Sequence, residues 1–258
     1  MRAWLILAAA SLLGAATPDT VFLEDLTWTE VRDLVASGST TIIIPTGGTE
    51  QNGPHMILGK HNYRVKYTSE RIARKLGKTL VAPVVTYVPE GEINPPNGHM
   101  RFAGTITLPD EFFRKLLEYA ARSFKLHGFR DIVFIGDSGP NQPGQKAVAE
   151  MLTREWAADK VRVHHMGNYY AGDSFDRYLL SKGETKAAIG THAGIKDTSL
   201  LWGVDARHLR LDKRANNGGS PTSGVTGDPS RASLEYGKKG LEMLVDNTVA
   251  EIRKALAR

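Results

Sequence analysis

Residues 40–62 read TTIIIPTGGTEQNGPHMILGKHN, an apolar run that passes directly into a polar, glycine-rich loop. The first six residues are β-branched or apolar without alternation, which is typical of a parallel strand buried on both faces. The loop that follows carries Glu50, Asn52 and His61. Ligands of parallel α/β sheets bind at the carboxyl ends of the strands, so this stretch predicts both a central strand and a candidate site.

Strand and helix patterns alternate along the rest of the chain. We predict strands at residues 40–45, 79–87, 131–135 and 161–166, and helices at residues 26–37, 62–76, 109–127, 145–158 and 231–257. This order predicts an α/β fold with a mainly parallel central sheet and helices on both faces. No repeat or linker divides the chain, so residues 17–258 are predicted to form a single domain. Residues 214–229 are predicted to be a long surface loop, which covers the pocket or contacts a neighbouring subunit.

The composition is that of an ordinary globular protein, with 258 residues, 41% hydrophobic and 24% charged. The formal net charge is +5, but Lys and Arg are spread along the chain without a basic, aromatic-rich block, which argues against a nucleic-acid partner. The chain has no cysteine. Disulfides and thiolate ligands are therefore excluded, and any metal must be held by His, Asp, Glu or neutral oxygens.

The N-terminus has the pattern of an export signal. Met1 and Arg2 precede the uncharged apolar run 3–16, in which Gly14 and Ala16 fit the −3 and −1 positions of a cleavage site. This run is shorter than the ~20 apolar residues that span a bilayer. We therefore predict a signal peptide at residues 1–16 and a periplasmic or secreted protein without a membrane anchor after leader removal; the alternative is a buried N-terminal helix.

Two groups of polar residues follow predicted strands. Glu50 and His61 lie eleven residues apart, and a carboxylate and an imidazole are common ligands of divalent ions. Asp137 and Ser138 follow the strand at 131–135. The alternatives are a solvated Glu50, a His61 that caps or packs on the next helix, and turn or cap roles for Asp137 and Ser138.

Further histidines lie in other loops. His192 and Asp197 are five residues apart around a glycine, and His192 is a candidate proton donor or base because histidine titrates near neutral pH. A hydrogen-bonded histidine that packs a loop is an equally good interpretation. His99 is a weaker candidate of the same kind.

Taken in order, five segments resemble the creatininase (creatinine amidohydrolase) family, from about residue 26 to the final helix. They read PTGGTEQNGPHMILGKH, HMRFAGTITL, HGFRDIVFIGDSGPN, THAGIKDTS and GVTGDPSRAS. The resemblance implies a three-layer α/β/α subunit that commonly forms a homo-oligomer such as a hexamer. It also implies a divalent-metal amidohydrolase, with zinc or manganese, acting on cyclic amides or related small molecules.

The sequence departs from this family at the expected metal ligands. Glu50 is kept, but Asn52, His61 and Ser138 stand where the family has His, Asp and His, and Asp197 replaces a Glu. A carboxylate can bridge two ions, whereas a neutral imidazole offers one lone pair. The resemblance thus implies a divergent member with one divalent ion, for which we predict Glu50, His61 and Asp137 as ligands.

The remaining roles follow from this assignment. We predict His192 and Asp197 as catalytic residues, and four residues as substrate contacts: Asn52, His99, Ser138 and Trp202. The leading hypothesis is an exported metal-dependent hydrolase of a small cyclic amide, lactam or lactone. The rivals are a catalytically silent small-molecule binding protein and a metal-free enzyme with Ser138 as nucleophile and His192 as base. In the second rival, GDSGPN departs from the Gly-x-Ser-x-Gly turn at Pro140.

Overall fold

The computed structural model describes residues 18–214 and 222–257. The predicted signal peptide and seven residues of the predicted loop 214–229 lie outside these ranges. No helix within the described ranges is long and apolar enough to cross a membrane.

The centre of the described fold is a parallel sheet of four strands in the order β2-β1-β3-β4. The strands are β1 (Thr41–Thr46), β2 (Thr79–Val81), β3 (Asp131–Gly136) and β4 (Arg162–His165). β1 and β3 pair along their whole length, from Thr41 opposite Asp131 to Thr46 opposite Gly136. Chain order reverses between β1 and β3, so their carboxyl ends form the crevice where ligands of such sheets bind.

Helices connect the strands and cover both faces of the sheet. In the described ranges they are α1 (Trp28–Ala36), α2 (Lys60–Leu76), α3 (Asp110–Leu126), α4 (Asn141–Glu155), α5 (Gly167–Ala171), α6 (Ser174–Ser181), α7 (Lys186–Ile189), α8 (Ile195–Val204) and α9 (Leu234–Leu256). The predicted three-layer α/β/α fold is confirmed.

Alternation along β1 builds both hydrophobic layers. Ile42 and Ile44 point to one face, where they pack with buried residues of α3 and α4 such as Phe113 and Leu152. Ile43 points to the other face and packs against residues of α2 and α9. Successive apolar residues are therefore needed along the middle of the strand, because side chains alternate between two covered faces.

Two boundaries differ from the sequence prediction. β2 ends at Val81 rather than residue 87. Beyond it, Ala82 donates one backbone hydrogen bond to Ile43, and Val85 forms an isolated bridge to Thr46. α2 begins at Lys60 rather than residue 62. The earlier start places Lys60 in the first turn of the helix, beside the loop that follows β1.

Candidate active site

A cavity of about 730 Å³ opens at the carboxyl ends of β1 and β3. Loops from four distant parts of the chain form its wall, through Glu50 after β1, His99 before α3, Ser138 after β3 and His192 before α8. The cavity therefore lies where ligands of parallel sheets usually bind, at the carboxyl ends of the two strands between which the chain order reverses.

Glu50 is the central carboxylate of this cavity, and only 2% of it is exposed. Its Oε1 lies 2.7 Å from Nε2 of His61, and its Oε2 lies 3.1 Å from Nε2 of His99. Burial raises the pKa of Glu50, but His61 and then Lys60 oppose it and hold the pKa well below its usual value. Glu50 is consequently an ionised carboxylate at neutral pH.

His61 links two carboxylates. Its Nε2 faces Glu50, and its Nδ1 lies 2.7 Å from Oδ2 of Asp137. A carboxylate offers only acceptors, so a ring with one on each nitrogen has the hydrogen-bond pattern of an imidazolium that donates twice. Both nitrogens of His61 are thereby engaged within the protein.

Arg64, one turn further along α2, ties the next pair of carboxylates together. Its Nε donates to both oxygens of Asp137 at 2.7 and 2.9 Å, and its Nη1 donates to Asp197 at 2.8 Å. The hydroxyl of Tyr169 donates to Asp137 at 3.0 Å. Asp197 also accepts a bond from the backbone N–H of Ala193. Although burial alone would raise the pKa of Asp197, Lys60 and Arg64 hold it well below its usual value, so this carboxylate is a weak base.

His99 and His192 face Glu50 from the other side of the cavity. The amide of Gln51 lies behind both rings, with Nε2 3.0 Å from Nδ1 of His99 and 3.1 Å from Nε2 of His192. The backbone N–H of Gly53 donates to Oε1 of Gln51, which identifies the amide nitrogen as the atom that faces the histidines. Burial lowers the pKa of His99, and burial together with Lys60 lowers that of His192 to about 4. Both rings are therefore neutral at pH 7 and offer lone pairs.

The segment after His192 holds a constrained backbone conformation. Ala193 has a φ of 55° and is fully buried, in the left-handed region that residues other than glycine rarely adopt. His192 forms a bridge with Thr226, and the Ala193 N–H is bonded to Asp197. These contacts hold the backbone at and after His192, and non-glycine residues in this conformation are often found at functional sites.

Glu90 is a second buried carboxyl group beside the site. Burial, reinforced by the negative charge of Glu50, raises its pKa to about 10. The carboxyl group of Glu90 is close enough to the side chains of Glu50 and Ser138 for both to act on this pKa. Glu90 is accordingly a neutral carboxylic acid at pH 7.

The structure brings most of the residues predicted from the sequence to the cavity, but two of them lie elsewhere. The cavity is lined by seven of the predicted residues: Glu50, His61, His99, Asp137, Ser138, His192 and Asp197. The two remaining substrate contacts predicted from the sequence lie elsewhere.

Asn52 is fully buried behind the loop, where its Nδ2 donates to the backbone oxygen of Glu50. Trp202 packs in a separate cluster with Met56 and Leu209, beneath the guanidinium of Arg214. Neither side chain lines the cavity. Asn52 shapes the loop backbone and Trp202 packs in its own cluster, so the structure gives no support to their predicted substrate contacts, which stay predictions.

Sequence reasoning missed Lys60, Arg64, Gln51 and Glu90. The predicted start of the helix at residue 62 left Lys60 in a loop and gave no reason to group it with Arg64. The available signal was spacing: Lys60, His61 and Arg64 lie at positions i, i+1 and i+4, which a helix starting at Lys60 presents to one side.

Two sets of side chains can be tested against a divalent ion. In the predicted set, Glu50, His61 and Asp137, the imidazole already bonds both carboxylates at 2.7 Å and has no lone pair left. That set does not fit. In the second set, ligand atoms of Glu50, His99 and His192 all lie within 4.8 Å of one another.

The second set fits an ion by its chemistry. One carboxylate and two neutral imidazoles form a common set for a zinc ion with an open position. His192 donates from Nε2 to the backbone oxygen of Gln51 at 2.9 Å, which leaves its Nδ1 free toward Glu50. The adjustments that an ion requires are a shift of the His99 proton from Nε2 to Nδ1 and a rotation of the Gln51 amide, because its nitrogen, a donor, faces Nδ1 in this structure.

Comparison with known proteins agrees with this architecture. The sequence model of the Creatininase family, described as creatinine amidohydrolase, matches residues 24–252. The chain therefore belongs to the Creatininase family.

Relatives of known function carry different names. The chain is similar to the mycofactocin precursor peptide peptidase of Mycobacterium ulcerans, with 26% identity over 83% of this chain and 85% of the relative. It is similar to the 3-dehydro-scyllo-inosose hydrolase of Thermotoga maritima, with 25% identity over 93% and 85%. It is also similar to the creatinine amidohydrolase of Pseudomonas putida, with 24% identity over 91% and 97%.

Solved structures show the same fold. A creatininase crystal structure superimposes with a TM-score of 0.77 at 23% identity, over 92% of this chain and 98% of that chain. Solved creatininases include a manganese form and a Zn-Zn type.

Proposed function

We propose that this protein is an exported hydrolase of the Creatininase family that acts on a small cyclic amide, lactam or lactone with one divalent ion. The observation that carries the proposal is the convergence of Glu50, His99 and His192 on the wall of a 730 Å³ cavity. The names of the three relatives share hydrolysis while their substrates differ, which supports the reaction class and leaves the substrate to experiment.

In this proposal the ion is zinc or manganese, held by Glu50, His99 and His192. When bound, such an ion polarises a carbonyl group and lowers the pKa of a water molecule. His192 thereby changes from predicted proton donor to ligand. Asp197 changes from predicted base to an anchor, since its ionised carboxylate fixes Arg64 and the backbone before α8.

The chain's own residues hold the ligands in position. The backbone oxygen of Gln51 accepts from Nε2 of His192 at 2.9 Å, and His61 fixes the carboxylate of Glu50 through a 2.7 Å hydrogen bond. Ligands supported in this way keep their geometry without an ion, which lowers the cost of binding one.

The test is the metal content of the purified protein, combined with hydrolysis of a panel of lactams, lactones and peptides. Glu50→Gln and His99→Ala should each abolish stoichiometric metal and hydrolysis. His127→Ala, an exposed histidine at the end of α3, is the matched control and should change neither. A native protein that binds no zinc or manganese and hydrolyses nothing in the panel contradicts the proposal.

A second candidate function is metal-free binding of a small molecule. The observation that favours it is the set of protein cations beside the carboxylates: Lys60 and His61 at Glu50, and Arg64 at Asp137 and Asp197. These pairs supply positive charge that an ion would otherwise provide. A melting temperature raised by panel compounds in chelator-treated protein, without turnover, is the result that this function predicts.

The third interpretation, Ser138 as nucleophile with His192 as base, gains no support from the contacts of His192. Its two ring nitrogens face Gln51 and Glu50 rather than a hydroxyl group. Under that interpretation, Ser138→Ala would abolish hydrolysis while chelators left it unchanged.

The proposed location rests on the N-terminal sequence. We propose cleavage after Ala16 and a periplasmic or secreted mature protein that assembles as a homo-oligomer. The mass of the protein recovered from the periplasm or medium would test the cleavage, and light scattering would give the number of subunits. A mass that retains residues 1–16 contradicts the cleavage.

A further inference from the structure

Lys60 is a buried cation that lines the cavity. Its side chain is 1% exposed, and its Nζ lies 3.4 Å from Oε1 of Glu50 and 3.3 Å from Oδ2 of Asp197. Buried lysines are rare unless they are paired, and the two ion pairs of Lys60 are both long.

The donors of Lys60 are less fully used than those of the neighbouring cations. Arg64 makes contacts of 2.7 to 2.9 Å with Asp137 and Asp197, and His61 makes two contacts of 2.7 Å. Lys60 has three N–H donors, and within the described ranges its two charged contacts are both longer than 3.2 Å. An ammonium group with spare donors at a cavity wall is suited to bind an oxygen atom of a ligand.

The charge balance of the cluster indicates which oxygen that is. Glu50, Asp137 and Asp197 are the carboxylates in contact with these cations, and they are matched one for one by Lys60, Arg64 and the doubly bonded His61. A divalent ion at Glu50, His99 and His192 would therefore add two positive charges to a balanced cluster. An anionic group in the cavity would offset this excess, and Lys60 is the protein cation placed to receive it.

We propose that Lys60 is a substrate-binding residue whose ammonium group binds a carboxylate, or the oxyanion that forms at an attacked carbonyl, next to the ion. The proposal rests on the function proposed above and adds the prediction of a negatively charged ligand group. It also implies that the anion and the ion bind cooperatively, since each reduces the charge imbalance that the other creates.

The ion and a simple carboxylate can serve as probes without a known substrate. Metal-free protein is titrated with Mn²⁺, with free Mn²⁺ followed by electron paramagnetic resonance, in the presence and absence of acetate. In the wild type, acetate should tighten Mn²⁺ binding several-fold. Lys60→Met, which keeps the side-chain length without the charge, should bind Mn²⁺ about tenfold more tightly in the absence of acetate, because a positive charge near Glu50 is gone. In this variant the effect of acetate should disappear.

Two further proteins control for a purely structural role. Lys66→Met removes an exposed lysine of the same helix, which pairs with Glu24, and should behave as the wild type. Lys60→Cys can be aminoethylated with 2-bromoethylamine, because the chain has no other cysteine, and the restored ammonium should restore the coupling between acetate and Mn²⁺.

The outcomes separate this inference from the proposed function. If the wild type binds neither Mn²⁺ nor Zn²⁺, the proposed function fails, and the role of Lys60 is then decided by acetate binding to metal-free protein, measured by calorimetry in the wild type and Lys60→Met. Weaker acetate binding in the variant supports Lys60 as the anion site. Equal acetate binding by both proteins, or an acetate–Mn²⁺ coupling that survives in Lys60→Met, overturns the inference.

Discussion

His61 and His99 both contact Glu50, yet substitution of the first should lower the stability of the fold, and substitution of the second should remove the ion. His61→Ala removes the side chain that bonds two buried carboxylates, so we expect a loss of about 3–5 kcal/mol in the free energy of unfolding. His99 is 27% exposed at its side chain, and His99→Ala should remove the ion while changing stability much less. Urea denaturation of chelator-treated proteins measures both effects. Equal destabilisation by the two variants would show that His61 is not the structural link described above.

Glu90 provides a test that depends on pH. Glu90→Gln replaces a neutral acid by a neutral amide of the same shape, so it should leave stability unchanged near pH 4. As the pH rises above the usual pKa of glutamate, the variant should become increasingly more stable than the wild type. Thermal unfolding from pH 4 to pH 9 measures the difference.

The sign follows from the raised pKa of Glu90, about 10 in the folded protein. Between the usual glutamate pKa and this value, the folded chain keeps a proton that the unfolded chain releases, so the wild type loses stability as the pH rises. The glutamine variant lacks this loss. Parallel pH profiles for the two proteins would mean that Glu90 is ionised in the fold.

Part of the site could be predicted at the scale of single residues. Glu50 and His61 could be grouped because they lie in one loop and at the start of one helix, and the structure places them 2.7 Å apart. The approach of His99 and His192 to Glu50 could not be predicted, because these histidines lie in loops 49 and 142 positions further along the chain. No local pattern fixes which distant loops meet.

At the scale of elements, strong hydrophobic patterns gave correct assignments. The apolar runs of β1 and β3 and the amphipathic pattern of α3 match the observed elements within one or two residues. The prediction for β2 was too long because the apolar sequence continues past Pro83, although the sheet does not. Hydrophobic composition alone thus does not locate the end of backbone pairing.

The outer edge of β4 is closed by a side chain. Thr153 of α4 donates from Oγ1 to the backbone oxygen of Val163, and the N–H of Val163 donates back to the same Oγ1, each at 2.9 Å. This pair satisfies backbone groups that an edge strand would otherwise leave open to another chain.

Thr153→Val should therefore destabilise the protein by about 1–3 kcal/mol, since it leaves two buried backbone groups of Val163 without partners. Thr153→Ser keeps the hydroxyl group and is the matched control. Chemical denaturation gives the stability, and light scattering after mild heating reports self-association, which should increase only in the valine variant. Identical curves for valine and serine would show that the hydroxyl does not close the edge.

At the scale of the whole molecule, the sequence predicted the architecture better than the chemistry. The order of strands and helices was sufficient for the three-layer fold. The charge arrangement depends on four loops and α2 meeting at one cavity, where Lys60 and Arg64 pair with the carboxylates of Glu50 and Asp137 that the sequence had assigned to an ion. Predicting this would have required the distances between these loops.

The stability of the whole domain should report ion binding directly. An ion that binds the folded chain alone stabilises it by about 2.7 kcal/mol when its free concentration is one hundred times its Kd. For a chain of this length we expect this to raise the melting temperature by roughly 5–10 °C. Binding by the unfolded chain should be weak, because it has no cysteine. Differential scanning fluorimetry with Mn²⁺ or Zn²⁺, and then with excess chelator, measures the change. Glu50→Gln should show no such rise, and an equal rise in this variant would place the ion somewhere other than at Glu50, His99 and His192.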